Sequence, residues 1–274
     1  NTPGANANAV KELVLCGLLL ASRKVTAGIE WTNTLKGTPD ISKQVEKGKK
    51  SFVGPEIYGK TLGIIGLGAI GALVANAAIA LGMKVIGYDP YISIDGAWHL
   101  DNHVIKETDL SALFAKCDYV TLHVPLTDST KELVNKASIE TMKDGIAILN
   151  FARGELVDND AIKAALASGK VSSYVVDFPC ADVLNEKGII AIPHLGASTS
   201  ESEDNCAVMA AQEIANYLET GDILNSVNFP NCSLPMSGKG RVCILHKNVP
   251  TMLTQFTTVF ADTKHNIADL INKS

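Results

Sequence analysis

The sequence predicts an α/β protein built on a doubly wound parallel sheet, with a smaller α+β module behind it. Three observations predict this. Short β-branched runs alternate with Ala-rich stretches between residues 60 and 193, the pattern of strands buried on both faces by helices. A glycine-rich G-x-G-x-x-G stands where the first of those strands would pass into a helix. The 274 residues are 46% hydrophobic and 19% charged, which suits one large folded domain or two modest ones.

Residues 8–24 hold good helix formers and no Pro, with apolar positions over most of the surface, so this helix should be sandwiched between other elements. A polar stretch containing Gly and Pro follows, from Thr32 to Lys60. The expected strands are Thr61–Gly66, Lys84–Asp89, Tyr119–Pro125, Ile146–Phe151, Ser173–Phe178 and Ile189–Pro193, with helices over Gly71–Leu81, Leu110–Lys116 and Asn159–Ser168. Right-handed crossovers would gather the strands into one sheet. Ser202–Leu218 reads as a helix ended by Gly221; Pro, Ser and Gly then cluster over 231–240 as in a linker, before a strand at Arg241–His246 and a helix at Val249–Asp262. The expected organisation is a nucleotide-binding domain over 1–205, a returning helix over 206–230, the linker, and a partial module over 241–274.

A net charge of −5 and no dense run of Lys and Arg argue against nucleic acid as a partner and for small molecules. Six scattered cysteines without C-x-x-C spacing read as reduced, mainly packing residues of a cytoplasmic protein, and no metal site is expected. Leu13–Ala21 is far shorter than the ~20 apolar residues of a membrane span, and positive charge follows rather than precedes it, so no membrane role is expected.

The glycines Gly66, Gly68 and Gly71 carry the first chemistry. Gly66 would permit a tight turn, Gly68 would let the backbone approach a pyrophosphate, and Gly71 would allow close packing of helix on strand, with the helix N–H groups facing the diphosphate. Asp89 ends the next strand 18 residues after Gly71, where a carboxylate can accept from ribose hydroxyls and repel an extra phosphate. NAD is the cofactor implied, in a Rossmann-type domain. A plain tight turn, or a flavin, are the competing readings of the same glycines.

Hydride transfer at an oxygen-bearing carbon also moves a proton, and a histidine suits that task. His194 follows the apolar run Ile189–Pro193, at the strand end where open sheets bind ligands; His123 also ends a strand, while His99, His103, His246 and His265 lie in polar or unrelated stretches. Arg153 follows Ile146–Phe151, and its guanidinium could clamp a carboxylate or form a structural ion pair.

Taken together, Gly66-Leu67-Gly68-Ala69-Ile70-Gly71, His123-Val124-Pro125, Asn150-Phe151-Ala152-Arg153-Gly154, Val175-Val176-Asp177-Phe178-Pro179 and Pro193-His194-Leu195-Gly196 resemble the D-isomer-specific 2-hydroxyacid dehydrogenase family. The resemblance runs from Asn1 to about Pro230. It implies Arg153 as carboxylate clamp, His194 as acid/base, and NAD contacts from Gly66, Gly68, Ala69, Ile70, Gly71, Asp89, His123, Pro125, Phe151, Ala152, Arg153, Asp177, His194 and Gly196. It further implies Asn6 against the substrate and a homodimer or homotetramer. Within the family the motifs are most similar to members that oxidise 3-phospho-D-glycerate to 3-phosphohydroxypyruvate at the start of serine biosynthesis. The alternatives are a sister enzyme for glyoxylate, hydroxypyruvate or D-lactate, or an NAD-sensing corepressor-like protein. The family's Glu-Pro is absent; the chain reads Asp177-Phe178-Pro179-Cys180-Ala181-Asp182, which leaves Asp182 as the carboxylate to pair with His194. Residues 241–250 resemble the opening of an ACT domain. With no initial methionine and half such a module, the chain is expected to be part of a longer enzyme that binds NADH but turns over poorly alone.

Overall fold

The β-branched runs become a seven-stranded sheet in the computed structural model, which describes residues 1–236 and 240–273. In chain order the first unit, Asn6–Ser202, runs α1 (Ala7–Arg23), α2 (Val25–Thr34), α3 (Ile41–Gly48), β1 (Thr61–Ile65), α4 (Ala69–Ala80), β2 (Lys84–Tyr88), α5 (Ile94–Trp98), β3 (Ile105–Lys106), α6 (Leu110–Lys116), β4 (Tyr119–Leu122), α7 (Lys136–Thr141), β5 (Ile146–Asn150), α8 (Asn159–Ser168), β6 (Val171–Val176) and β7 (Ile189–Ala191). All strand pairs are parallel, in the order β3-β2-β1-β4-β5-β6-β7.

The sheet is buried on both faces because consecutive residues point opposite ways and both are apolar. Ile64, Tyr119 and Leu149 pack with Val10, Val14 and Leu18 of α1 and Val74 and Ala78 of α4. Ile65, Val120 and Ile148 pack with Leu113 and Phe114 of α6, Ile139 of α7 and Ile162 of α8. Helix starts follow the sequence: Asp158 caps α8 by accepting from the N–H groups of Asp160 and Ala161, worth about 1 kcal/mol. Helix α1 is fastened at its far end, where Ser22 donates to Leu18 O and shares a hydrogen bond with the Tyr119 hydroxyl.

Several expectations change. Within its unit α1 buries one stripe, Ala7, Val10, Val14 and Leu18, and leaves Cys16 and Leu19 exposed, so it is not sandwiched. The stretch from Thr32 to Lys60 holds helical order that its polarity hid, in the end of α2, in α3 and in the 3-10 turn Lys49–Phe52; neither α2 nor α3 has a buried residue. All six cysteines are free, but Cys117 alone among them is buried, so packing is not their common role.

In the second unit, α9 (Ser200–Thr220) continues beyond Ser202, and α10 (Met252–Asp262) follows later. Between them Ile223 and Cys232 form an isolated antiparallel bridge, and Arg241 pairs with Asp222 at 2.7 Å. Arg241–His246 is not the expected strand: among the described residues no neighbour supplies a ladder, and strand geometry without partners is not stable in water. Residues 237–239 of the expected linker lie outside the described residues. Among the described residues no helix is long and apolar enough to cross a membrane, and no group of three or more His, Cys, Asp or Glu is arranged to hold a metal ion.

Candidate active site

The strand order reverses between β1 and β4, which opens a crevice at their carboxyl ends. The glycine loop lies there. Gly66 has φ +91, its N–H donates to Tyr88 O at 2.9 Å, and a Cβ added to it would meet His123 O at 2.5 Å. A Cβ on Gly71 would fall on Gly66 O, so at this position the helix backbone lies directly against the backbone of the glycine turn. Gly68 is the opposite case: nothing lies within 4 Å of where its Cβ would be, and no side chain caps α4 at this position. The first-turn N–H groups of α4, on exposed Ala69 and half-buried Ile70, are therefore left for an outside acceptor. Asp89 is fixed beside the loop by accepting from Leu67 N and Tyr91 N, both at 2.8 Å, and keeps further lone pairs for hydroxyl donors. This open cradle with a fixed carboxylate fits a dinucleotide.

Along the same edge, His123 shares a hydrogen bond with Thr121 Oγ1 at 3.0 Å, and burial pulls its imidazole down to about 4. It is neutral at working pH, which suits a wall residue rather than a proton carrier; Pro125 beyond it is exposed. The Phe151 ring packs under α1, where a Cβ on Gly17 would stand 2.8 Å from it, so Phe151 and half-buried Ala152 can face a ligand chiefly through backbone. Arg153 is exposed, its Nη1 donating to Ala152 O at 2.7 Å.

His194 is also exposed and sits at φ +53, a left-handed conformation uncommon for any residue with a Cβ. What holds it there is Asp177. That side chain is 1% exposed, and its two carboxylate oxygens accept from Leu195 N and Gly196 N, each at 2.8 Å. A Cβ on Gly196 would come within 3.0 Å of Asp177 Oδ2 and 3.5 Å of Val10. Val10 lies one turn beyond Asn6, so the start of α1, with half-buried Asn6, stands beside the His194 loop.

Two residues that sequence reasoning passed over tie the site together. Phe178 faces both key side chains: its ring centre is 5.4 Å from the Arg153 guanidinium carbon and 4.4 Å from the His194 ring centre. Asn150, at the end of β5, is completely buried beneath the Arg153 turn. Both stand inside quoted motifs, but what they touch depends on chain segments far away in sequence. Asp182 is exposed in the 3-10 turn Ala181–Val183 and lines the same 830 Å³ cavity as His194, Tyr174 and Cys180. No ion pair joins it to His194 among the described residues; the ammonium of nearby Lys163 is raised chiefly by its hydrogen bond to Asp160, with the charges of Asp182 and Glu186 adding to it. Among the remaining histidines, exposed His103 pairs with Asp101 at 2.7 Å, away from this edge.

Comparison with known proteins gives a consistent result. The family model for "D-isomer specific 2-hydroxyacid dehydrogenase, NAD binding domain" matches residues 22–196. The chain is 37% identical to D-3-phosphoglycerate dehydrogenase of Haemophilus influenzae, over 98% of this chain and 65% of that protein. It is 39% identical to hydroxypyruvate reductase of Thermotoga maritima, over 80% of this chain and 69% of that one. Against D-3-phosphoglycerate dehydrogenase of Archaeoglobus fulgidus, the match covers 84% of this chain but 43% of the relative, so the chain spans from under half to two thirds of the length of such relatives. Among solved structures, D-mandelate dehydrogenase of Rhodotorula graminis superposes with a TM-score of 0.72 at 27% identity, covering 82% of this chain and 66% of the other.

Proposed function

The chain belongs to the D-isomer specific 2-hydroxyacid dehydrogenases and carries their NAD-binding domain, and from that premise we propose that it serves the NAD-linked oxidation of 3-phospho-D-glycerate to 3-phosphohydroxypyruvate, the entry to serine biosynthesis. The observation that carries this reading is the arrangement of exposed Arg153 and His194 on one aromatic ring, Phe178, at the sheet edge that bears the dinucleotide cradle.

NAD, when bound, supplies the hydride acceptor. Gly66, Gly68, Ala69, Ile70 and Gly71 would hold its diphosphate, and Asp89 its ribose, favouring NAD over NADP by charge. Arg153 clamps the substrate carboxylate, which fixes the hydroxyl-bearing carbon relative to the cofactor. His194 takes the hydroxyl proton as the carbon–oxygen bond gains double-bond character, and returns it in the reverse direction. Asp177 holds the His194 loop, and Gly196 lets that carboxylate come close. Asn6 borders the substrate. Asp182 reaches His194 only if the turn Ala181–Val183 moves inward, and it is the residue we assign to that pairing. The exposed face of α1 suits a homodimer or homotetramer, the protein would work in the cytoplasm, and the residues from Arg241 would open an ACT-like module.

A second reading, a hydroxypyruvate reductase, has support in the similarity to the Thermotoga maritima protein. Steady-state reduction by the full-length protein with NADH separates them. The proposal requires phosphohydroxypyruvate to be preferred to hydroxypyruvate in kcat/KM by about a hundredfold or more, as recognition of a phosphate by charged groups would give. Equal use of both favours the second reading. Tight NADH binding with no turnover of any 2-keto acid would favour a sensor.

A further inference from the structure

Arg153 is exposed and stands on a turn, yet a carboxylate clamp works only if its guanidinium is held in register with the cofactor. Something under the turn must fix it. Asn150 is 0% exposed and ends β5, paired in register with Leu122 of β4 and Val176 of β6. Its Oδ1 accepts from Ala152 N at 3.2 Å, while Nδ2 donates to Arg153 O at 2.8 Å and to the Tyr174 hydroxyl at 3.3 Å. The amide orientation is forced: turned over, it would set NH2 against the Ala152 N–H and oxygen against the Arg153 carbonyl. Tyr174 is itself 0% exposed, and burial pushes its phenol up, so it remains a neutral hydroxyl. The backbone continues the link, because Asn150 O accepts from Asp177 N at 3.0 Å, and Asp177 holds the His194 loop.

We propose that Asn150, oriented by Tyr174, is a positioning residue for the carboxylate clamp: its buried amide closes the turn Ala152–Arg153 and so sets where the guanidinium stands. It touches neither substrate nor cofactor. A buried amide with donor and acceptor both used is costly to disturb, and no shorter or apolar side chain can satisfy a carbonyl and an N–H at once. The same geometry predicts the behaviour of Asn150→Asp. Ionised, the new carboxylate still accepts from Ala152 N but repels Arg153 O; protonated, it donates to that carbonyl and restores the turn. The defect should therefore fade as pH falls.

This inference rests on the clamp role given to Arg153, so the test reads the clamp both with and without turnover. In the full-length protein, Asn150→Asp and Tyr174→Phe would be compared with wild type in three respects: KM for the keto acid in the reduction direction, NADH affinity, and the affinity of oxamate, a non-reacting carboxylate analogue, for the NADH complex. For Asn150→Asp at pH 8 the expected result is a KM and an oxamate Kd raised about tenfold or more, an NADH Kd within about twofold of wild type, and a deficit relative to wild type that shrinks toward pH 6. Tyr174→Phe should raise both by about threefold without a new pH dependence, and it decides the matter should Asn150→Asp not fold. Wild-type oxamate affinity in whichever variant folds overturns the inference, as does an NADH Kd that weakens in step with the oxamate Kd. Failure of the wild-type protein to bind oxamate or reduce any 2-keto acid removes the clamp reading and this inference with it, an outcome distinct from a native-like variant.

Discussion

The two halves of the sheet's carboxyl edge are held by different means. On the β1 side the dinucleotide cradle is shaped by backbone: Gly66 and Gly71 lie so close to other main-chain atoms that an added Cβ would stand within 2.5 Å of a carbonyl oxygen. On the β5–β7 side the exposed Arg153 and His194 stand on loops, and buried side chains hold those loops, Asn150 under one and Asp177 under the other. Where backbone lies this close to backbone, as at Gly66 and Gly71, no added atom is tolerated. A side-chain-built site tolerates small changes of shape but fails when one hydrogen-bonding group is removed, because its partners are left buried and unpaired.

The largest effect tests the first half of that contrast. Gly71→Val drives atoms into Gly66 O and should cost about 3 kcal/mol or more of stability, read as a drop in the urea midpoint; an unchanged midpoint would show that the loop can yield. Next comes Arg153→Ala, which should lower kcat/KM for the keto acid by about a hundredfold with NADH affinity unmoved; weaker NADH binding of equal size would mean that the halves are not separable. Asp177→Asn keeps the shape but confronts one of two loop N–H groups with an NH2, and should cost about 2 kcal/mol in thermal unfolding together with a loss of turnover. Gly68→Ala is the counterpart of Gly71→Val within one loop. Its Cβ meets no protein atom, so stability should hold while NADH binding weakens about tenfold.

A last effect is one of pH. His123 takes its proton near 4 when folded but near 6.5 when unfolded. Below 6.5 the unfolded chain binds more protons, so stability is present at neutral pH and is lost as pH falls through that window. His123→Asn should flatten the fall in urea midpoint between about pH 7 and 4.5; an identical slope would assign the loss to other groups.

The sheet and its glycine loop were legible because their determinants are local: alternating β-branched and Ala-rich runs, three glycines, and one aspartate at the end of the next strand. The two-residue edge strand β3 was not, since Ile105 and Lys106 are held by pairing with β2 and carry no pattern of their own. Helices α2 and α3 are not legible in the polar stretch because neither has a fully buried residue; they pack on each other and on the turn after them, through Trp31 and Phe52, and not in the sheet's core. At the site, Arg153 and His194 could be found as charged or titratable residues just past apolar strands. Their supports could not, because Asn150 meets Tyr174 across 24 residues and Asp177 meets Leu195 and Gly196 across 18 and 19, contacts that exist only once the strands are side by side. Asp182 is a different case: an aligned position supplies the candidate carboxylate, and it stands exposed in the turn Ala181–Val183, on the cavity that His194 also lines.

If the edge divides into a cofactor half and a proton-transfer half, with His194 in the second, removing that imidazole should slow the chemistry and leave the cofactor alone. Stopped-flow reduction of phosphohydroxypyruvate by NADH in the full-length His194→Gln variant, with NADH affinity measured on the same sample, reads both halves at once. The expected outcome is a hydride-transfer rate lower by about 10²–10⁴-fold and an NADH Kd within about twofold of wild type. A wild-type rate in that variant would contradict the division.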